Sequence, residues 1–480
     1  MQGSLVEGGF AFKNLPYAAA PVGPNRWRAP QPAPAWKGIR DARTFGPSCP
    51  QQAEGWNNTD AERSSEDCLV LNIWAPRIVQ PPDQPLVPVM VWLHGGGFSG
   101  GSASNEFTDG TKLMRHGVVV VTIEYRLGVL GFLAHPDLAR ETTGGSTGNY
   151  GLMDMLAAFR WVQANIAQFG GDPANVTAFG QSAGGMAISW LMTSQSAQGL
   201  FHRAILQSGN AFGAGTITYS RAQAERAGQQ FGVISRLRKL PTKALLKRWK
   251  DFQAKQPEVR AAPILDGLLL REQPARVLLS NGRSVAIIVG SNSQEYPLNV
   301  PAEAFRPTLL KALGDQGGKA LDYYFPQGAA RPTDPLFGNA GTQVATDLSF
   351  RCGSILASHT SNPSWLYLFE QPRPGASVAA HSHELLYVFG NEGEWKLAQP
   401  MSPDEFALVD QVQSYWSNFA RTGDPNGPDL PPWPLYSRTD DPYLAISAEH
   451  TTARTNLRSE ICPLYIAHWS EAASYDALLK

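Results

Sequence analysis

Two hydrophobic patterns alternate along the middle of the chain. "VPVMVWL" (Val87–Leu93) and "GVVVVTIEY" (Gly117–Tyr125) are short, nearly continuous apolar runs rich in β-branched residues, the signature of strands covered on both faces. "LMDMLAAFRWVQANIAQF" (Leu152–Phe169) spaces its apolar residues at three and four, which predicts a helix stopped by Gly170-Gly171. "NVTAF" (Asn175–Phe179) then predicts a strand that turns at Gly180 into a second helix, "GGMAISWLM". Further strands are expected at Arg203–Ser208, Val285–Gly290 and Trp365–Glu370. Apolar strands separated by helices imply an α/β fold with a central, mostly parallel sheet flanked by helices. In such sheets, reactive groups gather at the carboxyl ends of the strands. The polar, helical stretch Thr216–Val259 reads as an insertion or lid, and no composition break divides the chain, so residues 1–480 are expected to form one domain.

Composition narrows the possibilities. At 480 residues, 43% hydrophobic and 17% charged, the chain is of globular type, and its net charge of −1 gives no bulk attraction to nucleic acid or anionic lipid. No apolar run approaches the roughly 18 residues of a membrane span. The start, "MQGSLVEGGFAF", lacks a charged-then-apolar leader. Cys49, Cys68, Cys352 and Cys462 form no C-x-x-C pair, which argues against a zinc site; spacing alone leaves their three possible pairings and the free-thiol state open.

The candidate chemistry centres on Gly180-Gln181-Ser182-Ala183-Gly184. Glycines on both sides let a strand reverse sharply into a helix and hold Ser182 at the tip, the context a nucleophilic serine needs. A hydroxyl attacks an acyl carbon only with a base, an orienting acid and oxyanion donors beside it. "LHGGGFSGG" (Leu93–Gly101) follows a buried strand, and the N–H groups of Gly96, Gly97 and Ala183 can converge on one oxygen. "AAHSHELLYVFG" (Ala379–Gly390) holds two candidate bases, His381 and His383; H-x-H could also be half a metal site, but it has no spaced partners. Glu295, after the strand Val285–Gly290, is the candidate acid.

Taken in order, "FKNLPYAAAPVGPNRWRAPQP", "SEDCLVLNIWAP", "VWLHGGGFSGGS", "GNYGLMDMLAAFRWVQANIAQFGGDPANVTAFGQSAGG", "HRAILQSG" and "FARTGDPNGPDLPPWP" resemble the type-B carboxylesterases over nearly the whole chain. That α/β-hydrolase family also contains the cholinesterases. The resemblance implies an α/β-hydrolase fold with loop and helical insertions over the active site. It also implies a serine esterase acting on a small-molecule ester without metal or cofactor. Its triad order of Ser, acid and His is matched by Ser182, Glu295 in the G-x-N-x-x-E pattern Gly290–Glu295, and His381, three residues before Glu384. The resemblance further implies the oxyanion donors Gly96, Gly97 and Ala183, Ser208 as a neighbour of the triad, and disulfides Cys49–Cys68 and Cys352–Cys462. Two bridges point to secretion or a periplasm, with a leader removed.

Two departures bear on specificity. Gln181 stands where many members have Glu, and Tyr296 where glycine usually follows the acid. In cholinesterases a carboxylate beside the serine and an aromatic three residues past the acid help to form the cation site; this chain offers Gln181 and Leu298 there, which disfavours choline esters. Trp56 reads as a packed loop tryptophan, with the rim of the substrate cleft as the alternative. Asn57 and Asn175 open glycosylation triplets. The alternatives to a general esterase are a specialist for one natural-product, xenobiotic or polymer ester and, more remotely, a non-catalytic adhesion homologue. The substrate pocket is expected to be built largely from the loops Asn210–Gly215, Thr216–Val259 and Tyr296–Phe305.

Overall fold

The computed structural model describes residues 1–474 except 78–84, 143, 218, 282–284 and 299–301, and leaves the side chains of 281, 302, 303, 394 and 472–474 aside. Thr218 of the expected insertion and residues 299–301 of the substrate loop Tyr296–Phe305 therefore lie outside the described residues.

Among the described residues, one eleven-stranded sheet organises the chain. Its strands are β1 (Ser4–Val6), β2 (Gly9–Pro16), β3 (Val70–Pro76), β4 (Val87–Leu93), β5 (Val119–Ile123), β6 (Gly171–Gln181), β7 (Arg203–Gln207), β8 (Ala286–Asn292), β9 (Ser364–Phe369), β10 (Pro442–Ile446) and β11 (Thr452–Thr455). The spatial order is β1-β2-β3-β5-β4-β6-β7-β8-β9-β10-β11. From β5 through β10 every neighbouring pair is parallel. Antiparallel strands extend both ends of that parallel block.

The continuous apolar runs have a simple cause. Along β4, Val89, Val91 and Leu93 enter one core, while Met90 and Trp92 enter the other. Side chains alternate across a strand, so a sheet covered on both faces needs apolar residues at every position. The first core packs against the helices Tyr150–Asn165 and Ala183–Leu191, the second against Leu385–Phe389 and Pro403–Thr422. The helix expected at Leu152–Phe169 becomes an α-helix to Asn165 and a 3-10 turn to Phe169, ended by Gly170 at φ 82°. The insertion is helical at Arg221–Phe231, Ile234–Leu237 and Thr242–Gln253. Its Phe231, Leu237, Leu245 and Trp249 form a third core with Trp27, Val129 and Leu138, which docks it on the segment after β5.

The four cysteines pair as Cys49–Cys68 and Cys352–Cys462. Closing loops of 19 and 110 residues stabilises the fold by about 3 and about 5 kcal/mol in the chain-entropy account. No helix among the described residues is long and apolar enough to cross a membrane. Asn57 is buried, donating to Gln51 Oε1 at 2.7 Å and to the Gln52 carbonyl at 2.8 Å, so its triplet offers no exposed amide to a glycan.

Candidate active site

The carboxyl end of β6 delivers Ser182. It sits between strand and helix at φ 54°, ψ −125°, a strained conformation for a non-glycine residue. Ser182 N–H donates to the Gln207 carbonyl at 2.8 Å, and its own carbonyl accepts from Met186 N–H at 2.9 Å, starting the helix Ala183–Leu191. The turn is this tight because Gly184 has no side chain: a Cβ there would lie 2.0 Å from the Leu93 carbonyl. Strand β4 and the elbow thus press together at the sheet's centre.

The loop after β4 lies against the serine. A Cβ on Gly95 would be 3.0 Å from Ser182 Cβ. The Gly95 carbonyl faces His94 Nδ1 at 2.8 Å, and the Gly96 carbonyl accepts from Ser99 and Gly100 N–H at 3.1 and 3.0 Å. In a trans peptide the N–H points opposite to the C=O. The N–H groups of Gly96 and Gly97 are therefore turned away from those partners, as that of Ala183 is turned away from Met186. Gly96 holds φ 108°, open only to glycine, where a Cβ would lie 2.1 Å from the Gly100 carbonyl.

Glu295 and His381 come from loops after β8 and β9 that clasp each other: Ser293 N–H bonds the Phe369 carbonyl, Gln294 N–H that of Ala379, and His381 N–H that of Glu295. His381 Nδ1 lies 2.6 Å from Glu295 Oε2. Glu295 is fully buried; its Oε1 accepts from Ser208 Oγ at 2.5 Å and Asn292 N–H at 2.7 Å. Burial alone would push the His381 imidazolium down, but the hydrogen bond and charge of Glu295 outweigh it, and the pKa stands above the ordinary histidine value of 6.5. Phe350 stacks on the imidazole at 4.9 Å and Tyr296 flanks it at 5.2 Å, so two aromatic walls hold the ring. His381 Nε2 faces Gln181 Nε2 at 3.1 Å.

His383 stands apart. Its Nδ1 accepts from Ala380 N–H at 3.2 Å, and burial holds it neutral with a pKa pushed down to about 4. Glu384, also buried, accepts from Asn292 Nδ2 at 2.7 Å and Gln207 Nε2 at 3.2 Å; burial and the nearby Glu295 charge push it up to about 7. Behind them the buried Arg351 donates to the carbonyls of Asn292 and Ser293 and pairs with Asp347 at 2.9 Å. Trp56 is not a packed loop residue: it is 62% exposed, with its ring against Gly100. Flanking polar residues leave it little to bury in, so it covers the outer side of the glycine loop.

Sequence reasoning missed Phe350, Arg351, His94 and Glu124 as neighbours of this centre. Asn292 had a signal, its fixed place three residues before Glu295. Arg351, one arginine among many in the chain, had none.

The sequence profile of the carboxylesterase family matches residues 6–465. The chain is 38% identical over 454 residues to the fumonisin B1 esterase of Sphingopyxis macrogoltabida, covering 89% of this chain and 81% of that protein. It is 34% identical over 475 residues to the para-nitrobenzyl esterase of Bacillus subtilis, covering 94% of each. The solved structure of a Geobacillus stearothermophilus carboxylesterase superposes with a TM-score of 0.83 at 33% identity, over 97% of this chain and 98% of that one.

Proposed function

The chain belongs to the carboxylesterase family and is a carboxylic ester hydrolase, and from that premise we propose that Ser182 is its nucleophile, His381 its general base and acid, and Glu295 the carboxylate that orients the base. The observation that carries this reading is the 2.6 Å contact between His381 Nδ1 and Glu295 Oε2, with His381 Nε2 at 3.1 Å from Gln181, the residue before a serine held at positive φ. His381 Nε2 takes the Ser182 hydroxyl proton as Oγ attacks the ester carbonyl. The N–H groups of Gly96, Gly97 and Ala183 receive the oxyanion, helped by the positive end of the helix Ala183–Leu191. His381 then protonates the leaving alcohol, and water repeats the cycle on the acyl-enzyme. Ser208 holds the free oxygen of Glu295.

Uncharged, non-choline esters are the preferred substrates in this reading. Gln181 brings no charge and Leu298 no aromatic face, whereas Tyr296 and Phe350 offer apolar walls beside His381. The likeness to a fumonisin B1 esterase favours a second reading, a specialist for one bulky natural-product ester. Residues 1–480 act as one catalytic unit, with the segment 216–259 as an insertion. The two disulfides support an extracellular or periplasmic setting.

The test is hydrolysis of p-nitrophenyl esters of rising acyl length, with butyrylthiocholine and fumonisin B1 alongside. Ser182→Ala and His381→Ala, each folded, are expected to lose turnover by about 10⁴-fold or more. Full activity in either removes the assignment. Activity on fumonisin B1 with none on the simple esters selects the specialist.

A further inference from the structure

Behind the glycine loop lies a second buried histidine and carboxylate that ester hydrolysis, as described above, does not use. His94 and Glu124 have side chains 4% and 0% exposed. Glu124 Oε1 accepts from Ser102 Oγ at 2.5 Å and Ala103 N–H at 2.9 Å, whereas its Oε2 has no partner among the described residues. His94 Nε2 is equally unpartnered, and it faces Glu124 Oε2 at 3.9 Å, about 1 Å beyond hydrogen-bond contact. The imidazole stacks on Tyr125 at 4.2 Å, and the Tyr125 hydroxyl donates to the His94 carbonyl at 2.8 Å, so closing the remaining distance takes a shift of about 1 Å.

A proton between the two orphaned atoms serves both, whereas the Ser104 hydroxyl, also unpartnered and near Glu124, can serve the carboxyl alone and leaves His94 Nε2 without a donor. The Gly95 carbonyl is only an acceptor, so the 2.8 Å contact requires the proton on His94 Nδ1. A neutral ring then presents a bare lone pair at Nε2, which needs a donor. Two unpaired ions this deep would each carry a large desolvation cost, whereas a carboxylic acid and a neutral imidazole do not. We propose that Glu124 and His94 form a neutral pair sharing one proton, Glu124 offering it from Oε2 to His94 Nε2, and that they are positioning residues which lock the Gly95–Gly96 peptide with the Gly96 N–H aimed at the oxyanion. Burial favours the same protonation, pushing Glu124 up to about 7 and His94 down to about 4. Asp60 contributes a neighbouring charge that favours the protonated carboxyl further, and the donors Ser102 and Ala103, with the nearby Ser104 hydroxyl, oppose it. The inference rests on Gly96 being an oxyanion donor in the reading above.

Glu124→Gln keeps a donor at the ε position and is expected to retain kcat within about twofold. Glu124→Leu and His94→Leu misalign one oxyanion donor, which is expected to lower kcat by roughly tenfold or more at nearly constant KM. Affinity for a trifluoromethyl ketone, which forms an oxyanion on the enzyme, falls by the same factor. All rates are normalised to Ser182 titrated with a fluorophosphonate, so a wild type that takes up no label counts against the nucleophile assignment instead. The pairing is overturned if Glu124→Gln loses as much kcat as Glu124→Leu, or if both leucine variants keep wild-type kcat. Should the leucine variants fail to fold, infrared difference spectra of wild type against Glu124→Gln decide it: loss of a protonated-carboxyl band at neutral pH supports the pair, and loss of a carboxylate band overturns it.

Discussion

Glu295 and Glu124 are built alike and, in the roles proposed for them, do opposite things. Each is fully buried, each accepts a serine hydroxyl at 2.5 Å and one backbone N–H on Oε1, and each turns Oε2 toward a histidine. The differences are distance and access. His381 lies 2.6 Å from its carboxylate with a side chain 20% exposed; His94 lies 3.9 Å away and is sealed. The first histidine is raised above its ordinary pKa, the second pushed down to about 4. A carboxylate's immediate donors therefore do not decide its role. On the proposed roles, a close, partly open histidine leaves its carboxylate to orient and stabilise an imidazolium, and a distant, closed one leaves the acid to keep its proton.

The contrast can be broken first at Glu295. Glu295→Gln removes the charge that stabilises the imidazolium and is expected to lower kcat by about 10⁴-fold, read on p-nitrophenyl acetate, with little change in melting temperature. Next come the two serines. Ser208→Ala strips a donor from the working carboxylate and is expected to cost roughly tenfold in kcat, a charged-group hydrogen bond being worth about 1.5–3 kcal/mol. Ser102→Ala, its counterpart on Glu124, should leave kcat within about twofold and show instead in thermal stability.

The pH dependence of stability separates the pairs further. Glu124 is raised from 4.5 to about 7, so the folded state holds a proton the unfolded chain has released over that window. Its contribution is full below about pH 4.5 and declines as pH rises through about 7. Glu124→Gln should flatten the melting-temperature profile across that range, whereas Ser208→Ala should not. The smallest effect is expected at Gln181, 3.1 Å from His381 Nε2. The acidic limb of kcat/KM should fall above pH 6.5 in the wild type, and Gln181→Glu should move it up by roughly one unit by placing a second carboxylate beside the imidazolium.

What the sequence revealed follows the same division. The central strands were legible because burial on both faces leaves no polar alternation, as in Val87–Leu93, which is β4 residue for residue. The sheet's antiparallel margins were not. β2 ("GFAFKNLP") exposes Phe10 and leaves Lys13 and Asn14 half-buried, and β11 ("TART") is mostly exposed, so neither shows a distinctive period. Ser182 and the glycine loop were readable from backbone demands, which restrict residue type over a few consecutive positions. Glu295 was not readable that way, since one acid in a polar loop looks like any other; the family resemblance supplied it. Glu124 was hidden within an apolar run, where a lone charged residue reads as the end of a strand.

Arg351 has a consequence for the order in which the site is completed. It braces the carbonyls of Asn292 and Ser293, just before the acid, and shares Asp347 with Arg458. Its neighbour Cys352 is tied to Cys462. During synthesis the serine, the acid and the histidine all leave the ribosome before either of those late partners. A chain interrupted near residue 450 would hold Ser182, Glu295, His381 and Arg351 and still lack Arg458 and the Cys352–Cys462 bridge that back the arginine. Completion of the support behind Glu295 thus waits on residues 458 and 462, which are made after Ser182, Glu295 and His381 are already in the chain.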